Sequence, residues 1–97
     1  MEGRIHVAGA GVISAIGNSV SETLHSFRNH LSGIGKITLF DSAHRETLPV
    51  GEVKLSNRKL AERLGAKPSV TRTALLGIHA ARESVQASGI KLNQWRT

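Results

Sequence analysis

The feature that most constrains the fold is a strongly marked helix near the start of the chain. Ser19 and Glu22 have the spacing of a capping box, with Ser19 at the N-cap and Glu22 at the third helical position. Apolar residues then recur at steps of four, three and four, at Val20, Leu24, Phe27 and Leu31. This spacing places them on one face of a helix, and Gly33 stands where a left-handed C-terminal cap is expected.

Short alternating segments predict strands on both sides of this helix. Residues 4–8 alternate and then meet Gly9-Ala10-Gly11, which predicts a strand that enters a tight turn. Residues 49–54 predict a second short strand. Residues 36–41 fit either a strand or an ordered loop.

Two further helices are predicted in the second half of the chain. Residues 56–64 predict a short helix that is capped by Ser56 and stopped by Gly65, and Pro68 suits the first turn of the next helix. Gly89 is expected to end that last helix. Its predicted packing face is lined mainly with small residues, at Val70, Ala74, Gly77, Ile78, Ala81 and Val85.

Alternating strands and helices predict the α/β class. The 97 residues suggest a single unit, residues 1–97, with no internal boundary. Since only Phe27, Phe40 and Trp95 are aromatic, the core is expected to consist of aliphatic side chains. Two or three short strands do not complete a parallel sheet covered by helices on both faces, so we expect an incomplete fold.

The composition excludes several classes of site within these residues. The chain has no cysteine, which excludes a disulfide, a thiolate zinc site and a cysteine nucleophile. Its five histidines, at positions 6, 25, 30, 44 and 79, form no recognisable ligand set, so no metal site is expected. No signal peptide or membrane span is recognised, which predicts a cytoplasmic protein.

The Gly9-Ala10-Gly11 turn raises the alternative of a dinucleotide-binding domain. Ser14 occupies the third glycine position of that fingerprint, and the helix begins too late, near Ser19. A tight turn beneath a neighbouring chain segment is the interpretation that the residues favour. The sequence therefore predicts no bound cofactor, although the dinucleotide alternative stays open.

Basic residues give the chain a net charge of +6. Lys59, Arg63 and Lys67 are four residues apart, so a continuous helix would align them, with Arg58 alongside. A solvated helix face and a docking patch for an acidic partner both fit this pattern. A basic nucleic-acid-binding module is a further alternative, although the lack of aromatic residues nearby in the sequence counts against single-stranded binding.

Taken in order, the motifs resemble the elongating β-ketoacyl-[acyl-carrier-protein] synthases. Those enzymes begin with a strand, Gly-x-Gly-x-Val-Ser-Pro-x-Gly, Asn and a capped helix. The matching segments here are Gly9-Ala10-Gly11-Val12-Ile13-Ser14-Ala15-Ile16-Gly17-Asn18, Ser32-Gly33-Ile34, Phe40-Asp41, Gly51-Glu52-Val53-Lys54 and Ser88-Gly89-Ile90. Ala15 replaces the usual Pro, and residues 68–72 stand where many relatives carry Arg-Met-Asp and an aromatic residue. These departures leave room for a polyketide- or pigment-type relative or a chain-length partner.

The resemblance implies the N-terminal portion of a thiolase-like fold and decarboxylative condensation of acyl and malonyl groups in fatty acid or polyketide-like biosynthesis. The family's cysteine and two histidines lie beyond the equivalent of position 97, so no catalytic residue is assigned and the chain alone is expected to be inactive. The implied parent is a homodimer or heterodimer that works with acyl carrier protein and binds neither nucleic acid nor a membrane. A docking patch for that carrier is expected at Arg58, Lys59, Arg63 and Lys67.

Overall fold

The computed structural model describes residues 3–91. Its elements, in chain order, are α1 (Val20–Arg28), β1 (Ile34–Gly35), β2 (Val50–Gly51), α2 (Asn57–Leu64) and α3 (Arg72–Ser88). The two strands pair antiparallel, with Ile34 opposite Gly51. The predicted mixture of helices and strands is confirmed, and the sheet within residues 3–91 consists of this one pair.

The start of α1 is as predicted. The Ser19 hydroxyl accepts a hydrogen bond from the Glu22 amide at 3.1 Å, which caps the first turn. The Glu22 carboxylate reaches back to the Asn18 amide at 2.9 Å, one residue earlier than in a standard capping box. The local signal in the sequence was therefore sufficient to place this end of the helix.

The predicted end of α1 at Gly33 is wrong, because the helix stops at Arg28 and His30 takes the left-handed conformation with φ of 54°. The Leu31 amide donates to the Ser26 carbonyl at 2.9 Å, and the His30 amide donates to the Phe27 carbonyl at 3.3 Å. These two bonds form a Schellman motif, which satisfies carbonyls that the helix leaves free. Position 33 requires glycine for a reason other than helix capping, since a β-carbon there would collide with the backbone of Ala15.

The predicted strand at residues 4–8 is wrong. This segment forms no strand, and Ile5 and Val7 are 96% and 87% exposed. A strand needs a neighbour to satisfy its backbone groups, and no other part of residues 3–91 pairs with it. Of the predicted strand at residues 49–54, only residues 50–51 form a strand, as β2, whereas residues 36–41 form a loop.

The caps of α2 are as predicted, and those of α3 are partly so. Ser56 caps the start of α2, Gly65 ends it with φ of 65°, and Gly89 ends α3 with φ of 68°. The placement of Pro68 in a first helical turn is wrong. Pro68 instead lies in a turn closed by a 3.1 Å bond between the Val70 amide and the Lys67 carbonyl, where its fixed φ suits the second position. Thr71 then caps α3.

The core lies between α2 and α3. Leu60 and Leu75 are its fully buried side chains, and Leu55 and Ala61 complete the cluster. The predicted packing face of α3 is largely wrong, because four of its six residues are exposed: Ala74, Gly77, Ile78 and Ala81. The face that packs is set by the large side chain Leu75, which α2 covers, rather than by the small residues.

Another face of α3 carries the glycine segment. A β-carbon at Gly9 would collide with the Ser84 carbonyl, and one at Gly11 would collide with the Ala80 carbonyl. The Ser84 hydroxyl donates to the Gly9 carbonyl at 3.3 Å. The predicted close approach of these glycines to a neighbouring segment is therefore confirmed. The predicted tight turn at Gly9-Ala10-Gly11 is wrong, because these residues form no turn and neither glycine has a positive φ.

The Glu83 carboxylate fastens two parts of the chain to α3. One of its oxygens accepts from the Val12 amide at 3.0 Å, and the other accepts from the Val20 amide at 2.9 Å. Charge-assisted bonds of this kind are stronger than neutral ones. Glu83 thereby fixes the loop after the glycines and the first turn of α1 relative to α3.

The molecule is open for its size. Its Cα radius of gyration is 16.6 Å, whereas a compact domain of 100 residues has about 13 Å. Leu24, Phe27 and Leu31, from the predicted apolar stripe of α1, are exposed. Trp95 lies outside the described residues. Within residues 3–91, no helix is both long and apolar enough to cross a membrane.

Candidate functional site

The basic residues predicted as a docking patch are all exposed but do not form one continuous row. Arg58, Lys59 and Arg63 lie on α2, while Lys67 lies beyond it in the loop that leads to the next turn. Gly65 separates them, because its left-handed conformation ends the helix. The structure therefore brings three of the four together on one helix and places Lys67 just after its end.

Arg58 is paired with an acidic residue of its own helix. Its Nε lies 3.3 Å from Glu62 Oε1, and the two side chains are 89% and 65% exposed. An exposed pair at this spacing contributes only about 0.3–0.5 kcal/mol. Arg58 therefore remains available to a stronger carboxylate partner.

Arg82 is a basic residue of this surface that the sequence did not reveal. From α3 it donates to the last carbonyls of α2, at 3.2 Å to Arg63 and 3.0 Å to Leu64. A cation at a helix C-terminus is favourable because it neutralises the negative end of the helix dipole. Arg82 thus holds the end of α2 and adds a fifth positive charge beside Arg63. Its role depends on how α2 packs on α3, which no local pattern encodes.

A groove of about 570 Å³ opens beside Arg58. We call it the Phe40 groove, and its lining residues are Leu39, Phe40, Gly51, Glu52, Val53, Ser56, Asn57, Arg58, Arg72 and Leu76. It therefore combines an apolar wall with two guanidinium groups. The expectation that no aromatic residue lies near the basic residues is wrong. The fold brings the loop that carries Phe40 to the start of α2, where Phe40 and Arg58 line the same groove.

Arg72 holds the floor of the Phe40 groove together. Its guanidinium donates to the Val53 carbonyl at 3.1 Å, to the Leu55 carbonyl at 2.9 Å and to Asn57 Oδ1 at 2.8 Å. These bonds join the first turn of α3 to the chain between β2 and α2 and to the first residue of α2. Since its donors are used in this way, Arg72 acts mainly as a structural cross-link.

Glu52, another lining residue, holds the loop that carries Leu39 and Phe40. Its carboxylate accepts from the Thr38 amide at 2.9 Å, from the Thr38 hydroxyl at 2.8 Å and from the Leu39 amide at 3.1 Å. Desolvation acts to raise the pKa of Glu52, but these hydrogen bonds and the charge of Lys54 outweigh it, so the pKa lies below its ordinary value. The Glu52 carboxylate therefore has a structural role, because its hydrogen bonds hold the loop that carries Leu39 and Phe40.

The glycine segment offers no surface for a dinucleotide on the side that meets α3. The fingerprint requires glycines so that a pyrophosphate can approach the backbone. Here the space beside Gly9 and Gly11 is filled by the α3 backbone. The dinucleotide alternative therefore gains no support from the geometry.

The histidines are not gathered into a ligand set. Across residues 3–91, no three histidine, cysteine, aspartate or glutamate side chains are grouped so that they could hold a metal ion. His79 has a structural contact instead, with its Nε2 2.7 Å from the Asn18 carbonyl oxygen. This contact supports the loop that precedes α1.

Comparison with curated proteins finds one kind of enzyme. The chain is 30% identical over 93 residues to the 3-oxoacyl-[acyl-carrier-protein] synthase 2 of Staphylococcus aureus (strain COL), covering 94% of the chain and 22% of that protein. It is 28% identical over 91 residues to the protein of the same name from Coxiella burnetii (strain RSA 493 / Nine Mile phase I), with the same coverage. The chain thus spans about a fifth of the length of these relatives. No protein-family profile and no solved structure matches it significantly.

Proposed function

We propose that residues 1–97 are the N-terminal part of a 3-oxoacyl-[acyl-carrier-protein] synthase with a thiolase-like fold. The observation that carries this proposal is the similarity to such synthases over 94% of the chain. The order of the motifs from Gly9 to Ile90 points to the same family. The proposed reaction joins an acyl group to a malonyl group carried by acyl carrier protein, with loss of carbon dioxide, in fatty acid or polyketide-like biosynthesis.

Within this proposal, the chain contributes scaffold rather than catalytic groups. It contains no cysteine, so the nucleophile that the family uses to hold the acyl group must lie elsewhere in the parent enzyme. The small core and the exposed Ile5 and Val7 are consistent with further chain packing on residues 3–91. We propose a cytoplasmic homodimer or heterodimer as the parent.

The second part of the proposal is a docking surface for acyl carrier protein, formed by Arg58, Lys59, Arg63, Lys67 and Arg82. We call it the basic surface. Complementary charge guides association and fixes orientation, and exposed cations on a short helix suit an acidic partner. Arg82 belongs to this surface because it holds the helix end that carries Arg63.

A condensation assay tests the enzymatic proposal. Two proteins are compared: the 97-residue chain, and the longer protein encoded by the complete reading frame that contains it. Each is supplied with acyl- and malonyl-carrier protein. The longer product is expected to form the 3-oxoacyl product, and the 97-residue chain is expected to form none. Turnover by the chain alone, or no condensation by the longer product, would contradict the proposal.

A further inference from the structure

We infer that α1 opens and closes on α3 as a separate unit, and that Glu83 and His79 of α3 are the side chains that hold it closed. The unit comprises residues 14–28, which are α1 and the loop that leads into it, and we call it the α1 unit. The inference concerns contacts within residues 3–91 and does not rest on the proposed enzymatic function. It predicts that a conservative substitution on α3 loosens α1 and leaves the core between α2 and α3 intact.

The α1 unit is held together by contacts of its own. The buried Ser26 hydroxyl of α1 donates to the Ile16 carbonyl of the loop. The Ser14 amide donates to the Gly17 carbonyl at 2.8 Å, which closes the loop on itself. A β-carbon at Gly17 would collide with the backbone of Thr23, so the loop lies directly against the helix. Since these contacts join residues of the same unit, the helix and its loop can move together.

The α1 unit stands apart from the other helices. In residues 3–91, no Cα atom of α1 lies within 8 Å of a Cα atom in another helix or strand. Packed helices have axes only about 8–10 Å apart, which brings some of their Cα atoms closer than this. A polar cleft of about 390 Å³ lies between Ser19 and Glu22 on one side and Arg82 and Gln86 of α3 on the other. The apolar core of the described residues is built from other segments.

Two side chains of α3 cross this gap. The Glu83 carboxylate accepts from the Val20 amide in the first turn of α1 at 2.9 Å, while its other oxygen accepts from the Val12 amide at 3.0 Å. His79, one turn earlier on α3, has its Nε2 2.7 Å from the Asn18 carbonyl oxygen. Because a carbonyl can only accept, Nε2 carries the proton of this bond. Glu83 and His79 are half-buried, and hydrogen bonds to an ionised carboxylate are stronger than neutral ones.

Release from α3 exposes the helical hydrogen bonds of α1 to solvent. The helix has nine residues, and isolated helices shorter than about 12–15 residues are marginal in water. The core between α2 and α3 contains the fully buried Leu60 and Leu75, so it has its own source of stability. Segments that differ in this way open at different free energies, and amide hydrogen exchange measures each of them separately.

The test is amide hydrogen exchange, followed residue by residue by NMR on the 97-residue chain at constant pH. In Glu83→Gln an NH2 group replaces one of the two accepting oxygens, while size and helix propensity are kept. Exchange at residues 24–28 is therefore expected to become about tenfold faster. The amides of Leu60 and Leu75 are expected to change by less than about twofold. Glu62→Gln is the matched control, because Glu62 is an exposed residue of α2 that pairs with Arg58, and it should leave exchange in α1 unchanged.

A second pair of variants tests His79. His79→Leu removes the donor to the Asn18 carbonyl and is expected to speed exchange in α1 severalfold. His79→Gln keeps an N–H donor and is expected to restore part of the protection. Circular dichroism shows whether each variant is folded, and the His79 pair decides the matter if Glu83→Gln is not.

Three results would overturn the inference, and none of them bears on the proposed enzymatic function. Unchanged exchange at residues 24–28 in Glu83→Gln and His79→Leu would mean that other contacts hold α1. Equal acceleration in α1 and at Leu60 and Leu75 would mean that the chain opens as one unit. An effect of Glu62→Gln as large as that of Glu83→Gln would assign the change to net charge rather than to the contact with α1.

Discussion

Gly11 lies so close to Ala80 that a β-carbon at position 11 would overlap the Ala80 carbonyl oxygen. Gly9 meets Ser84 in the same way, one turn further along α3. The glycine segment therefore runs directly over the backbone of α3, and its composition is dictated by packing. This contact also explains why the segment resembles a nucleotide-binding turn without the space that a nucleotide would need.

Gly11→Ala is expected to destabilise the chain by about 1–3 kcal/mol, because the backbone or α3 must move to make room for the new methyl group. Urea unfolding followed by circular dichroism measures the effect. Gly77→Ala is the control, since nothing lies within 4 Å of a β-carbon there. It should stabilise α3 by about 0.5–1 kcal/mol. Stabilisation by both substitutions would refute the close approach.

His30→Gly is expected to stabilise the chain by about 1 kcal/mol, because a residue with a β-carbon is strained in the left-handed conformation that ends α1. The midpoint of thermal unfolding measures this gain. The control His25→Gly, within α1, should have the opposite sign and cost about 1 kcal/mol. A destabilised His30→Gly variant would mean that position 30 does not hold the C-terminal cap.

The hydrogen bonds of Glu52 predict a loss of stability in acid. Since the folded pKa is depressed, the folded state binds the proton less readily than the unfolded state. The contribution of Glu52 is thus fully present above the unfolded value of about 4.3 and is lost as the pH falls through the folded pKa. Unfolding experiments between pH 2 and pH 7 should show a smaller acid-dependent loss in Glu52→Gln than in the original chain. Parallel curves for the two proteins would contradict this role.

Features that depend on neighbouring residues could be predicted from the sequence, and features that depend on distant contacts could not. Ser19, Ser56 and Gly65 act within one turn of a helix, so their cap positions were recognised correctly. Gly33 is required by contact with Ala15 rather than by a helix end, so the prediction that it caps α1 is wrong. The segment at residues 4–8 has the pattern of a strand but no partner within residues 3–91, and pairing is a property of the whole fold.

The candidate site likewise contains some residues that could be predicted from their neighbours in the sequence and others that depend on distant contacts. Arg58, Lys59 and Arg63 are exposed on α2, as their helical spacing predicted. Phe40 and Arg82 join this region only because a loop and α3 fold against α2, and nothing in their local sequence indicates it. Gly65 interrupts the predicted row before Lys67 for a local reason, since a glycine in the left-handed conformation ends the helix.

The central claim is that acyl carrier protein docks on the basic surface. It is tested most directly by the Michaelis constant for malonyl-carrier protein, measured on the longer protein encoded by the complete reading frame. Combined charge reversal, Lys59→Glu with Arg63→Glu, is expected to raise this constant about tenfold and leave kcat unchanged, because repulsion weakens docking and not the chemical step. Arg28→Glu, a charge reversal on α1, is the control and should have little effect. An unchanged Michaelis constant in the double variant would contradict the docking of acyl carrier protein on the basic surface.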